Sequence, residues 1–222
     1  MKYQLYNVTS KQESLYMPAY NKTKQLLKKL KPEIEKWLKG NVTEKRFKHI
    51  ERVAKTAKKY AKKMKLDHYK AELSGWLHDC AKDFSNERLM RMARLYRIDL
   101  DEVDYINPHI LHARVGAIIA KEKFKIKDSE VLGGIRCHTL AEPNMSKLEM
   151  VVYLADATEP SRQRQFAAPV RRIFKDKGLE PAVLKAIDNK LLEVLKRRKS
   201  IHPLTIKARN WLIEQIEKQI EN

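Results

Sequence analysis

Four histidines and two aspartates have the types and spacing for metal chemistry: His49, the adjacent pair His78-Asp79, His112, His138 and Asp156. The pair lies in WLHDCAKD, an apolar setting. A carboxylate there is costly to bury unless it is paired or bound to a metal. Imidazole nitrogen with carboxylate oxygen suits iron, manganese or zinc better than calcium or magnesium. Six such ligands, with Asp79 bridging, are the right number for two ions. Two cations about 3.5–4 Å apart bind a phosphate, generate hydroxide near neutral pH and stabilise a leaving oxygen. That is phosphate-ester or anhydride hydrolysis. A lone buried histidine is ordinarily a hydrogen-bonded core residue, and a His-Asp dipeptide arises by chance. The ordered set is much harder to obtain by accident.

The elements that must position these residues all read as helices. Leu26, Leu27, Leu30, Ile34, Trp37 and Leu38 recur at helical spacing from Gln25 to Lys39, with Pro32 a possible break. Thr43 caps a helix reaching Met64 that carries His49. Tyr69–Ala81 is hydrophobic nearly all round and therefore buried, with His78 and Asp79 at its end. Ser85–Arg97 is amphipathic, and Asp99–Ile110, with its Asp, Asn and Pro, reads as a loop. His112 opens a helix from about Leu111 to Phe124, and His138 closes one begun at Asp128 or Ser129. Ser146 and Glu149 form a capping box for Leu148–Thr158, which carries Asp156 on the side of Val152. Pro160 stops that helix, and two closing helices run from about Pro181 to Arg198 and from Pro203 to Ile220. No period-2 alternation is sustained anywhere, so the fold class is all-α.

The 222 residues are expected to form one domain over 23–222, preceded by a loosely structured extension, 1–22. Six glycines disfavour hairpin-rich folds and Gly-rich phosphate loops. Two cysteines, Cys80 and Cys137, cannot build a disulfide framework. No apolar leader and no apolar run approaching 18 residues is visible, so a cytoplasmic location without membrane attachment is expected. The net charge of +19 would attract polyanions. A basic nucleic-acid-binding module is the competing reading from another class. It is not favoured, because pure binding has no need of the six ligands.

His49…His78-Asp79…Asp156 resembles the pattern of the HD-domain phosphohydrolases, helical bundles, and the inserted His112 and His138 resemble their dinuclear branch. RFKHIERV, WLHDCAKD, NPHILHARVGA, IRCHT, PNMSKLEMVVYLADATEPSR and IHPLTIKARN look like successive motifs of the YqeK family, the symmetrical bis(5′-nucleosyl)-tetraphosphatases. The match runs from about Lys31 to about Leu212. The resemblance implies cleavage of diadenosine tetraphosphate, or a related dinucleoside polyphosphate, into two nucleoside diphosphates. It also implies two metal ions, iron first, with manganese or zinc as alternatives. One ion would be held by His49, His78, Asp79 and Asp156; the other would share Asp79 and add His112 and His138.

Around this set, Lys82 is placed to neutralise phosphate and Asp83 to orient Lys82 or a water. Arg46, on the His49 face, is a second phosphate contact. Glu159 and Arg162, of the EPxR element, border the expected nucleotide pocket, with Arg162 pairing with phosphate and Glu159 reaching ribose or holding Arg162; Thr139, beside His138, is expected to hydrogen-bond a phosphate or a metal-bound water. His109 lies near His112, but the resemblance selects His112. His202 is read as structural, His68 as surface, and the two thiols as buried and inert. Ala113-Arg114 and Leu140-Ala141 depart from the family's usual Gly-Pro and nearby glycine, on the expected substrate side. Another nucleotide substrate (alarmone, deoxynucleotide or cyclic dinucleotide) would use the same ligands. A homodimer is possible, but no residue points to it.

Overall fold

In α2 (Glu44–Lys63), Ile50, Val53, Ala54, Ala57 and Ala61 are buried along one face. The helix starts where the Thr43 hydroxyl accepts from Arg46 N–H. Against it packs α3 (His68–Leu77), capped by Asp67 and buried from Leu73 to Leu77. Gly75 permits that approach: a Cβ there would lie 2.6 Å from Ala54 Cα. The glycine thus lets the helix carrying His49 lie close against the one that ends at His78.

The computed structural model describes residues 10–221, and no strand occurs among them. α1 (Ser10–Asn41) precedes this pair. After α3 come α4 (Asn86–Leu95), α5 (Glu102–Ile106), a 3₁₀ turn at Pro108–Leu111, α6 (His112–Glu122) and α7 (Ser129–Cys137). The chain continues through α8 (Lys147–Thr158), α9 (Arg164–Asp176), α10 (Leu179–Lys196) and α11 (Pro203–Glu221). The fold is all-α, as its periodicity requires.

Two apolar cores meet along α2. One joins Ile50 and Ala54 to Leu30, Ile34 and Leu38 of α1, to α3 and to α6–α7. The other joins Val53, Ala57 and Tyr60 to α8, α9, α10 and α11. Gly134 of α7 sits 3.1 Å, measured from a virtual Cβ, from Ser74 Oγ and Val152 Cγ2. Helices α3, α7 and α8 therefore pack closely, and their C-terminal ends carry His78, His138 and Asp156 or stop just short of them. No helix of the described residues is long and apolar enough to cross a membrane.

The structure corrects four local expectations. Pro32 does not split α1, because Leu30 and Ile34 are buried on either side and packing outweighs one lost hydrogen bond. Residues 10–22, expected as a loose lead-in, belong to α1; residues 1–9 of that expected extension lie outside the described residues. The loop expected at Asp99–Ile110 contains α5, started by a reciprocal Asp101–Asp104 capping box, and most of the 3₁₀ turn. α9 had no counterpart in the pattern reading. Its buried Ala167, Val170 and Phe174 do have helical spacing, but Pro169 and a polar remainder hide it.

Candidate metal centre

α3 ends at Leu77, and the chain tightens into successive three-residue turns, with Cys80 N–H donating to Leu77 O and Lys82 N–H to Asp79 O. This earlier stop, four residues short of Ala81, brings His78, Asp79 and Lys82 to one end of the bundle. There they meet His49 of α2, His112 at the start of α6, His138 just past α7 and Asp156 of α8. All four histidines and Asp79 are buried.

Three imidazoles have a fixed proton. Nδ1–H of His78 donates to Gly75 O (2.8 Å), that of His112 to His109 O (2.6 Å) and that of His138 to Ile135 O (2.7 Å). In His49, Nδ1–H donates to Glu159 Oε1 at 3.1 Å. Every Nε2 is therefore left as a lone pair, and all four converge on Asp79. Oδ1 of Asp79 is 3.2 Å from His112 Nε2 and 3.3 Å from His138 Nε2. Oδ2 is 3.5 Å from His78 Nε2 and 3.6 Å from His49 Nε2. Asp156 Oδ1 stands 3.0 Å from His49 Nε2 and 3.8 Å from His78 Nε2. Two groups of donors that could hold a cation result: His49, His78 and Asp79, and Asp79, His112 and His138. Asp156 adjoins the first.

The electrostatics suit positive charge. Burial alone would raise the Asp156 carboxyl, but the Arg162 guanidinium outweighs it and holds the group well below its usual range. Burial, aided by Lys82, pushes the His112 imidazole down to about 3, despite Asp79. Lone pairs facing lone pairs and carboxylate oxygens repel one another, and a cation between them reverses the sign. The donor set thus fits divalent metal.

The flanking residues divide. Arg46 Nη1 donates to Asp79 Oδ2 at 2.7 Å, and Arg162 holds Asp156 through both its carboxylate and its backbone carbonyl. Lys82 Nζ lies 3.3 Å from His112 Nε2. Thr139 Oγ1 is 3.0 Å from Nε2 of both His112 and His138. Arg46, Lys82, Thr139 and Arg162 line a cleft of about 530 Å³ that reaches Asp79, His112, His138 and Asp156. Asp83 does not join them: its carboxylate accepts from Thr43 N–H at 2.8 Å and so secures the start of α2 rather than orienting Lys82.

Glu159 also differs from expectation. It is buried and does not line the cleft, its carboxylate taking His49 Nδ1–H, Arg52 Nε–H (2.8 Å) and Ser161 N–H (2.7 Å) and not the Arg162 side chain. Burial opposes its ionisation, but those hydrogen bonds prevail and hold it at about 2. Arg52 belongs to no metal-type or phosphate pattern, although its place three residues after His49 on one helical face is a usable signal. His109 is exposed, and its carbonyl accepts the His112 Nδ1–H. His202 accepts from Leu204 N–H at the start of α11. His68 is half-buried, within hydrogen-bonding distance of the Tyr20 hydroxyl. Cys80 and Cys137 are buried, and burial pushes both thiols up.

Both departures from the family pattern have a structural reading. Arg114 Nη1 donates to Asp99 O (3.0 Å), and Nη2 pairs with the fully buried Asp104. Ala141 takes φ +58, the left-handed region where glycine is unstrained.

An HD-domain model matches residues 46–161, a span that contains every one of the six metal-type residues. The chain belongs to the HD-domain family and is a hydrolase of that class. Within it, 35% identity over 176 residues relates the chain to the "Bis(5'-nucleosyl)-tetraphosphatase, symmetrical" of Halalkalibacterium halodurans, covering 79% of this chain and 93% of that protein. The Bacillus subtilis protein of the same name is 31% identical over 79% of this chain and 94% of its own length. A crystal structure from Clostridium acetobutylicum, named a predicted HD superfamily hydrolase involved in NAD metabolism, is 35% identical. It superposes with a TM-score of 0.79 over 83% of this chain and 97% of that one.

Proposed function

We propose that this protein hydrolyses dinucleoside tetraphosphates between the two central phosphorus atoms, releasing two nucleoside diphosphates. The division of Asp79 carries the reading: one oxygen faces His112 and His138, the other His49 and His78. His49, His78, Asp79 and Asp156 would hold one cation, and Asp79, His112 and His138 a second, with iron the first expectation. When bound, such a pair supplies Lewis acidity and an activated water for attack at phosphorus.

The protein's own groups do the rest. Glu159 fixes the ring of His49, and backbone carbonyls fix the other three, so Nε2 cannot turn away. Lys82, Arg46 and Arg162 bring three cations to a cleft into which a tetraphosphate must fit. Burial, with Arg46 and Lys190 adding to it, lowers the Lys82 ammonium's pKa despite Asp79, so an incoming phosphate oxygen strengthens its charged form. The Thr139 hydroxyl, beside His112 and His138, can direct a hydrogen bond to a phosphate oxygen there. Cleavage forms a P–O bond from the attacking water and breaks one anhydride P–O bond; the leaving diphosphate keeps that electron pair, and the water's proton is released.

The test is anaerobic purification, metal analysis and product identification with diadenosine tetraphosphate. The expected result is nearly two ions per chain and ADP as sole nucleotide product. A mixture of AMP and ATP, or no turnover by the metal-replete protein, overturns the assignment.

A further inference from the structure

Beyond the metal-type residues, the cleft continues along a wall built by α9 and α10, lined by Phe166, Asn189, Lys190 and Arg197. Phe166 is 46% exposed, although its helix neighbours Ala167 and Val170 are buried. Its backbone is fixed: Asn189 Nδ2 donates to Phe166 O across the two helices at 3.3 Å. Lys190 has no acidic partner among the described residues and lines the same cleft as Lys82. Arg197 is held by Glu193 at 2.6 Å, one turn earlier on α10. An exposed aromatic ring and a lysine lining one cleft with a phosphate-handling centre have the chemistry of nucleotide binding. The base stacks on the ring and the phosphates face the cations.

We infer that the α9–α10 wall is a nucleoside diphosphate subsite, with the base stacked on Phe166 and its phosphates running past Lys190 toward Lys82. The inference rests on the proposed reaction, in which each half of the substrate leaves as a nucleoside diphosphate. It explains why the cleft extends well past the six metal-type residues. It also gives α9 a role, since α9 brings Phe166 opposite α10.

The test compares Phe166→Ala, Phe166→Tyr and Lys190→Ala in the metal-replete protein. For Phe166→Ala the KM for diadenosine tetraphosphate rises about tenfold, the effect expected of one lost stacking contact, with the loss in KM rather than kcat. Inhibition by ADP weakens in parallel, whereas inhibition by inorganic pyrophosphate, which has no base, does not move. Phe166→Tyr restores ADP inhibition. Lys190→Ala weakens ADP and pyrophosphate together. A wild-type KM and ADP inhibition constant in Phe166→Ala overturn the subsite while leaving the reaction standing, as does equal loss of ADP and pyrophosphate. Absence of tetraphosphate hydrolysis in the wild type, with ADP binding still dependent on Phe166, overturns the reaction and supports the subsite.

Discussion

The Nε2 atoms of His112 and His138 lie 3.2 Å apart, each on a ring whose Nδ1–H is already donated to a backbone carbonyl. Neither ring can turn its proton inward without abandoning that carbonyl. Asp79 Oδ1 completes the triangle, and its other oxygen serves His49 and His78.

This asymmetry separates two variants. Asp79→Ala removes an oxygen from both donor groups, so both ions are lost and hydrolysis falls by at least about 10²–10³-fold. His138→Ala touches only the second group, and about one ion per chain is retained. Metal content per chain after anaerobic purification decides it. Equal metal loss in the two variants contradicts the shared role of Asp79.

Glu159 offers a subtler test, since it faces no cleft. Glu159→Gln keeps the size of the side chain but removes the charge that receives His49 Nδ1–H and Arg52. Supporting groups of this kind are worth about 10–100-fold in metal affinity. Competition with a chelator should show that loss in one ion and not the other. Unchanged affinity for both would make Glu159 merely structural.

The sequence made the helices and the six metal-type residues legible because burial enforces both. A helix that must hide one face shows its period, and polar residues in a buried stretch need a reason. Supporting residues were less legible. Asp83 stands next to Lys82 in sequence, yet the turn between them sends one side chain to Thr43 and the other to the cleft. Glu159 follows α8, where its backbone turns to an extended conformation (ψ 155), and that turn aims it at α2 instead of the nucleotide side. Direction after a helix end depends on one or two backbone angles that periodicity does not encode. The α9–α10 wall was invisible for another reason: Phe166 has meaning only once α9 faces α10.

Arg114 pairs with Asp104, which is wholly buried. Breaking such a pair from one side strands a charge, at a cost of about 3–5 kcal/mol. Arg114→Ala should therefore lower the thermal midpoint strongly. Arg114→Ala with Asp104→Asn, which removes the charge but keeps an oxygen to accept from Asp101 N–H, should recover most of the loss. An additive double variant, measured by urea unfolding, would show that the two residues do not act as a pair.

The metal-depleted protein should lose stability as pH falls from about 6.5, and the sign follows from His112. Folded, its imidazole is held at about 3 by burial. Unfolded, it titrates near 6.5. Between those values the unfolded chain binds a proton that the native one refuses, so stability is full above 6.5 and declines toward 3. From pH 6.5 to 5 the loss from this residue is roughly 1.6 kcal/mol, because the slope of about 1.4 kcal/mol per unit is only half developed at 6.5. His68, half-buried and also pushed down, chiefly by that burial, adds in the same direction. Glu159, held at about 2, acts only as pH drops below the ordinary carboxylate value and leaves this window clear. Urea midpoints of chelator-treated protein across pH 6.5–5 measure the slope, and His112→Asn should flatten it. A slope unchanged by that substitution would mean that His112 is not buried neutral.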